Sequence, residues 1–262
     1  MRTRGDQSVK YLLDSKYLEY NTPGFIKGDP ISVPHLFTQK EDIEISGFLT
    51  ATLSWGNRQS IVKSALRLME LMDSSPAEFL INANENEYSR FLNFAHRTFK
   101  GEDCLFFLQA IRTVYLDHGG METVFCSGYR KEGKIHDAIN EFRSAMVKTP
   151  HLARSEKHIA DPSKGSAAKR INMFLRWMVR KDDNGVDFGI WKNIRQADLM
   201  CPLDVHTGRV ARKLGLLSRN QDDWKAVEEL TANLRKFDTT DPVKYDFALF
   251  GLGVFEKSVA LK

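Results

Sequence analysis

The chain has 262 residues, of which 42% are hydrophobic and 27% charged. That is enough apolar length for a substantial core and excludes wholesale disorder. Lysine and arginine number 38 against 34 aspartates and glutamates, a net charge of +4, too mild an excess to announce a polyanion binder by itself.

The N-terminus, MRTRGDQSVK, has no apolar core segment, so no secretory signal is expected. No uncharged apolar run approaches about 18 residues, so no membrane span is expected, and a cytoplasmic location is the default. Residues 21–34 carry three of the eight prolines and read as a loop. From Ile61 the apolar residues Ile61, Val62, Ala65, Leu66, Met69 and Met72 recur at helical spacing on one face. The turn Asp73-Ser-Ser-Pro76 breaks that helix and starts another, with Ser75 placed as a cap before Pro76. A further helix carries Leu105, Leu108, Ile111 and Tyr115 and ends through a glycine cap at His118-Gly-Gly. Just before it, the stretch from His96 to Asp103 joins an arginine-bearing loop to a capped helix, and a buried Arg–carboxylate pair between lobes is expected there.

Residues 148–166 form a long basic connection. It leads into a helix with Met173, Phe174, Trp177 and Met178 on one face. A polar turn follows at 180–187, then a helix with Val227, Leu230, Leu234 and Phe237, and a last helical segment from Val243 to about Leu249. Alternating strand-like runs are scarce, and the whole chain reads as all-α. Three well-separated cysteines, Cys104, Cys126 and Cys201, give no disulfide framework and read as buried thiols. The seven histidines show no ligand-spaced pair, so neither a metal site nor a cofactor is expected.

The net charge has a geography. Between Arg154 and Lys181 there are eight basic residues and only two acids, and Arg209, Arg212, Lys213 and Arg219 follow with no acid between Val205 and Asn220. Two basic stretches beside glycine turns could neutralise the phosphates of one nucleic acid, or could be solvated faces. The first turn, Asp161-Pro-Ser-Lys-Gly-Ser-Ala-Ala-Lys169, opens directly into a helix. A helix N-terminus offers free N–H groups and the positive dipole end, which suits a phosphate. Ser163, Lys164, Gly165, Ser166, Ala167 and Arg170 are therefore the candidate backbone-binding residues. In the second, Cys201-Pro-Leu-Asp204, the aspartate opens a new helix, and on its own is expected to be an N-cap.

Pro202-Leu-Asp-Val-His-Thr-Gly-Arg-Val210, followed by Lys213-Leu-Gly-Leu216, resembles the V-D-T-H-x-x-R-V … R-L-G signature of the helix-hairpin-helix DNA glycosylases. Gly165-Ser-Ala-Ala-Lys-Arg-Ile-Asn172 is similar to the end of their P-G-V-G-x-K-T-A-N hairpin. Gly47 to Leu66 resembles the helix–turn–helix that borders their base pocket, and Tyr245 to Gly253 resembles their closing helix. The likeness is scattered over about residues 45–253 and looks like a bacterial branch nearest the archaeal 8-oxoguanine DNA glycosylases. It departs from the pattern in three places. Ser163-Lys164 stand where a glycine and an apolar residue are usual. Lys169 and Asp204 are unusually far apart, so that Arg180–Gln196 is expected to loop out as an insertion. The C-terminal four-cysteine array of the iron–sulfur branch is absent.

The resemblance implies an all-α, two-lobed fold with a central cleft. One lobe is a helical barrel over about 42–170; the other combines 1–41 with about 171–262. It implies a glycosylase/lyase that excises a damaged base, 8-oxoguanine being one candidate, from duplex DNA. Lys169 would be the amine nucleophile, its free amine favoured by burial and by cations such as Arg170. Asp204 would stabilise the cationic sugar. Ser54, Trp55 and Asn57 would border the extruded base, Trp55 being otherwise a core residue. Apart from the resemblance, His206, two residues past Asp204, reads as a structural histidine, or as one that orients Asp204 or meets phosphate. Two other readings stay open: a helix-hairpin-helix protein that binds nucleic acid without catalysis, and an all-α protein whose basic faces meet an acidic partner.

Overall fold

Helices carry almost all of the regular structure in residues 4–256, the part of the chain that the computed structural model describes. The first, α1 (Arg4–Tyr20), buries Val9 and Leu13 one turn apart and leaves Tyr11 and Leu18 exposed. The segment expected to be a loop, 21–34, instead contains a short helix, α2 (Pro23–Ile26), and a 3-10 turn, Pro30–Ser32; a second 3-10 turn, Pro34–Leu36, begins at its last residue. Each proline sits at the first position of its turn, where a fixed φ is suited to helix and the missing N–H is no loss. Asp29 completes one of these turns by accepting the N–H of Ile31 at 3.1 Å.

The chain divides into two units, residues 26–161 and residues 1–25 with 162–262, where boundaries near 42 and 170 were expected. In the first unit, α3 (Lys40–Leu53) is buried without interruption from Ile43 to Leu53. The next helix, α4 (Arg58–Leu71), buries Ile61, Ala65, Leu68 and Met69; Leu66, expected on that face, points outward, and Leu68 takes its place. Asp73 and Ser74 both adopt φ +55° and end α4. Helix α5 (Pro76–Asn82) receives no side-chain cap from Ser75; Asp42 accepts the N–H of Ala77 at 2.9 Å instead. A capping box of Asn84 and Glu87 opens α6 (Glu85–Tyr88).

The one sheet among the described residues is a small hairpin, β1 (Ala95–His96) paired with β2 (Phe99–Lys100), with Arg97 at φ +54° in its two-residue turn. Helix α7 (Gly101–His118) follows and ends at Gly119 in the left-handed conformation, as its sequence predicts. Helices α8 (Met121–Glu132) and α9 (Ile135–Met146) pack so closely that a methyl group on Gly128 would lie 2.4 Å from the carbonyl oxygen of Asp137. Phe125 stacks on Phe142 at 4.3 Å, and Phe48 meets Phe142 edge-on at 5.1 Å, at the centre of this unit.

The second unit continues with α10 (Lys169–Val179), α11 (Val205–Lys213), α12 (Trp224–Arg235) and α13 (Tyr245–Gly251), the last running into a π-helical turn, Leu252–Glu256. Met173, Phe174, Trp177 and Met178 are all buried, as the spacing predicts. Gly251 allows α13 to meet α1: a methyl there would lie 2.2 Å from the Tyr20 ring. The insertion after α10 does not loop out. Phe188 donates its N–H to the Trp177 carbonyl at 2.8 Å and Trp191 to that of Met178 at 2.9 Å, so the segment folds back along the helix end and buries Trp191 against Phe174.

Two members of the basic stretch are not on the open surface that a charge count implies, although Arg154, Lys157, Lys164 and Lys181 are exposed. Arg176 and Arg180 are buried. Arg176 binds Asp187 at 3.2 Å and Asp246, with the Phe247 ring 4.3 Å away. Arg180 binds Asp187 and Asp241 at 2.9 Å each, Asp182 at 2.7 Å and the Tyr17 hydroxyl at 3.0 Å. Charges removed from water this way persist because every one is paired. Downstream, Arg212 is bound to Asp222 and Arg219 to Asp223, just past the acid-free stretch. Among the described residues no helix is long and apolar enough to cross a membrane.

Candidate functional site

The turn before α10 is built by local bonds. Pro162–Lys164 is a single 3-10 turn, closed when the Gly165 N–H reaches the Pro162 carbonyl at 2.9 Å. Gly165 then takes φ +86°, with open space where a side chain would stand; glycine is there for its backbone, not for packing. Its carbonyl accepts the Trp224 N–H at 3.1 Å, and Ser166 forms a bridge with Asp223, which ties the turn to the start of α12. The Ser166 hydroxyl accepts the Ala168 N–H at 3.2 Å, and Asn172 donates to the Ala167 carbonyl at 3.2 Å.

Ala168 occupies the N-cap position at φ +49°, and no side chain caps α10. Ser163, Lys164, Gly165 and Ser166 are exposed, whereas Ala167 and Arg170 are half-buried. Burial pushes the Arg170 guanidinium down to about 10. The connection expected over 148–166 is found: α9 ends at Met146, and only 3-10 turns at Ala153–His158 and Pro162–Lys164 lie between it and α10.

Lys169 is the first residue of α10 and is half-buried. Its Nζ lies 3.3 Å from the Met173 sulfur, a weak acceptor, and it forms no ion pair among the described residues. Asp204 is the N-cap of α11. Its Oδ1 accepts the N–H of His206 at 2.9 Å and that of Thr207 at 3.0 Å. Oδ2 has no hydrogen-bond partner among the described residues. The cap reading and the chemical reading of this aspartate are thus compatible, since the cap uses one oxygen and fixes the plane of the other. His206 is exposed, and a methyl on Gly253 would lie 3.1 Å from its Cβ.

Lys169 and Asp204 both bear on one buried group, Asp246 of α13. Burial pushes the Asp246 carboxyl up to about 6. Arg176 and Lys169 oppose that rise, and the Asp204 and Asp187 carboxylates add to it. Sequence reasoning passes over Asp246. Its signal is a lone acid in the otherwise apolar run Phe247 to Phe250 that it precedes. Nearby Cys201 is fully buried, and burial raises its thiol far above the ordinary value, as it does for Cys104. All three cysteines are buried and unpaired.

Ser54, Trp55 and Asn57 belong to the other unit. The Ser54 hydroxyl donates to the Thr50 carbonyl at 2.8 Å, and Asn57 caps α4 by accepting the Ser60 N–H at 3.2 Å. Trp55 is half-buried, stacked near His158 at 5.7 Å and edge-on to His96 at 5.1 Å. The buried Arg–carboxylate pair expected near His96 between the lobes is not found among the described residues; instead a buried carboxylate meets an exposed arginine within one unit. Asp103 is fully buried and accepts the Arg154 guanidinium at 2.9 Å, the Ser155 hydroxyl at 2.5 Å and the Lys100 N–H at 2.8 Å, all within residues 26–161. Arg97 instead lies against the turn after α3, where a methyl on Gly56 would be 2.5 Å from its Nη1. Among the described residues no three His, Cys, Asp or Glu side chains are grouped to hold a metal ion.

Residues 29–255 match the family described as protein of unknown function (DUF2400), and the chain belongs to that family. No curated protein and no solved structure matches it.

Proposed function

We propose that this protein is a DNA glycosylase/lyase of helix-hairpin-helix type that removes a damaged base through Lys169, assisted by Asp204. The observation that carries this reading is the state of the two side chains. An amine with no ion pair and a carboxylate with one uncommitted oxygen both act on the same buried Asp246. The exposed turn 163–166 beside the uncapped start of α10 supplies N–H groups and Lys164 for a phosphodiester. No cofactor is needed, and a cytoplasmic location fits.

The reaction follows from these groups. The neutral Lys169 amine attacks C1′ of the extruded nucleotide, forming a C–N bond as the bond to the base breaks; the base leaves with the electron pair and takes up a proton. Asp204 stabilises the positive charge that develops on the sugar. The nitrogen gives up one proton and O4′ takes one up as the C1′–O4′ bond breaks, which opens the sugar ring to a protonated Schiff base; loss of a C2′ proton then expels the 3′ phosphate. Borohydride reduction in the presence of duplexes bearing different lesions or an abasic site tests this. A covalent adduct is expected, and it disappears in Lys169→Gln. No adduct with any of these duplexes refutes the lysine mechanism. Salt-dependent DNA binding without an adduct would then mark a binding module, and no DNA affinity an acidic protein partner.

A further inference from the structure

Lys169, Met173, Arg176 and Arg180 recur at intervals of four, three and four residues, which places them along one face of α10. The Lys169 Nζ rests on the Met173 sulfur at 3.3 Å, and one turn further Arg176 donates to Asp246 and sits 4.3 Å from the Phe247 ring. Asp246 comes from α13. The continuation of that helix packs on α11, where Arg209 donates to the Gly253 carbonyl at 2.8 Å and Gly253 lies against His206. The His206 N–H is in turn bound by Asp204. One buried carboxylate therefore stands between the helix face that carries the amine and the helix that Asp204 caps.

We infer that Asp246 is a positioning residue for the Lys169–Asp204 pair: in its ionised form it locks Arg176, and with it the Lys169 face of α10, against the α11–α13 corner. This takes the lysine mechanism above as given. The charged groups facing Asp246 are Arg176 and Lys169 from α10, Asp187 from the segment after it and Asp204 from the cap of α11, with the Cys201 thiol close by. From α1, Asp14 accepts the Tyr245 hydroxyl at 2.9 Å, and the Tyr17 ring lies 6.4 Å from that of Phe247. With its carboxyl pushed up to about 6 by burial, Asp246 takes up a proton just below neutrality, and Arg176 loses that ionic bond and keeps the one to Asp187. An amine nucleophile loses one proton before it attacks. A second proton lost from Asp246 makes the rate steeper on the acid side.

The test is the pH profile of borohydride-trapped adduct on an abasic-site duplex, from pH 4.5 to 8.5, for the wild type, Asp246→Asn and Asp246→Glu. The Lys169 ε-carbon resonance is followed on the same proteins without DNA. For the wild type the logarithm of the rate is expected to rise with slope two below about pH 6 and slope one above it. Asp246→Asn should show slope one throughout and a maximum about 10- to 100-fold lower, the scale of a small misplacement of a reacting group. Asp246→Glu should retain a break in slope, which keeps the test readable if the asparagine variant does not fold. The ε-carbon resonance should show an inflection near pH 6 that Asp246→Asn abolishes. A single slope in the wild type, or an unchanged break in Asp246→Asn, overturns the proposal. If the wild type forms no adduct at any pH, the glycosylase reading falls. The resonance then decides alone: an Asp246-dependent inflection upholds the coupling, and its absence refutes it.

Discussion

Oδ1 of Asp204 accepts the backbone N–H of Thr207 at 3.0 Å and so closes the first turn of α11. Because the same oxygen also takes the His206 N–H, the structural duty of this carboxylate falls on one atom. Asparagine caps helices about as well as aspartate, whereas alanine costs about 1 kcal/mol. Asp204→Asn is therefore expected to unfold at nearly the wild-type urea midpoint yet to lose about 10²- to 10⁴-fold in the rate of adduct formation, as loss of an acid–base group does. Asp204→Ala should lose both. Full activity in a stable Asp204→Asn would leave Asp204 a cap and nothing more.

The burial of Arg180 separates two kinds of basic residue that a charge count adds together. Lys164 is exposed on the turn before α10, whereas Arg180 is enclosed by Asp182, Asp187 and Asp241. Lys164→Ala should lower the slope of log affinity for DNA against log salt by about one and leave stability within about 0.5 kcal/mol. Arg180→Ala leaves buried carboxylates without their partner and should cost about 3–5 kcal/mol. Where it still folds, its salt slope should match the wild type. A slope reduced as much in Arg180→Ala as in Lys164→Ala would show that Arg180 reaches phosphate.

Gly165 combines φ +86° with empty space around its Cβ position. Gly165→Ala thus meets no clash, and its cost is the backbone strain of a left-handed alanine, about 1–2 kcal/mol. Gly208 offers the contrast: its space is filled by Arg212 and Asp222 at 2.8 and 2.9 Å, while its φ is not left-handed. Urea unfolding of Gly165→Ala measures the first cost directly. An unchanged midpoint would mean that the turn relaxes to another conformation.

Helical periodicity made the long elements of this chain legible, because one apolar face per helix is a repeating local signal. It marked α4, α7, α10 and α12, and it erred at Leu66, where Leu68 on the neighbouring stripe is the buried residue. The short turns headed by Pro23, Pro30 and Pro34 escaped it because three or four residues carry no period. The positions of Arg176 and Arg180 were hidden for another reason. Their partners Asp187, Asp241 and Asp246 lie 7 to 70 residues away, and only the tertiary fold brings those charges together. Asp204 was legible both as a helix cap and through a motif, but the sequence offered these as rivals. The cap geometry uses Oδ1 alone, so the cap leaves Oδ2 uncommitted.

Asp246 also gives the stability of the protein a definite pH dependence. Burial raises its carboxyl to about 6, above the ordinary aspartate value of about 3.9. Between about pH 4 and 6 the folded protein keeps a proton that the unfolded chain has released. Its contribution is therefore most favourable at the acid end of that window and declines as pH rises through 6. Asp103 and Asp182 act in the opposite sense. Burial opposes their ionisation, but the Ser155 hydroxyl and Lys100 N–H at Asp103, and the Arg180 charge at Asp182, outweigh it and hold both below the ordinary range. The stability they supply is present above about pH 4 and is lost as pH falls further. Replacing Asp246 by asparagine removes only the first of these trends. Urea unfolding at pH 4.5 and pH 7 should thus show Asp246→Asn faring better relative to the wild type at pH 7 than at pH 4.5. A difference between the two proteins that stays constant across these pH values would mean that Asp246 is ionised throughout.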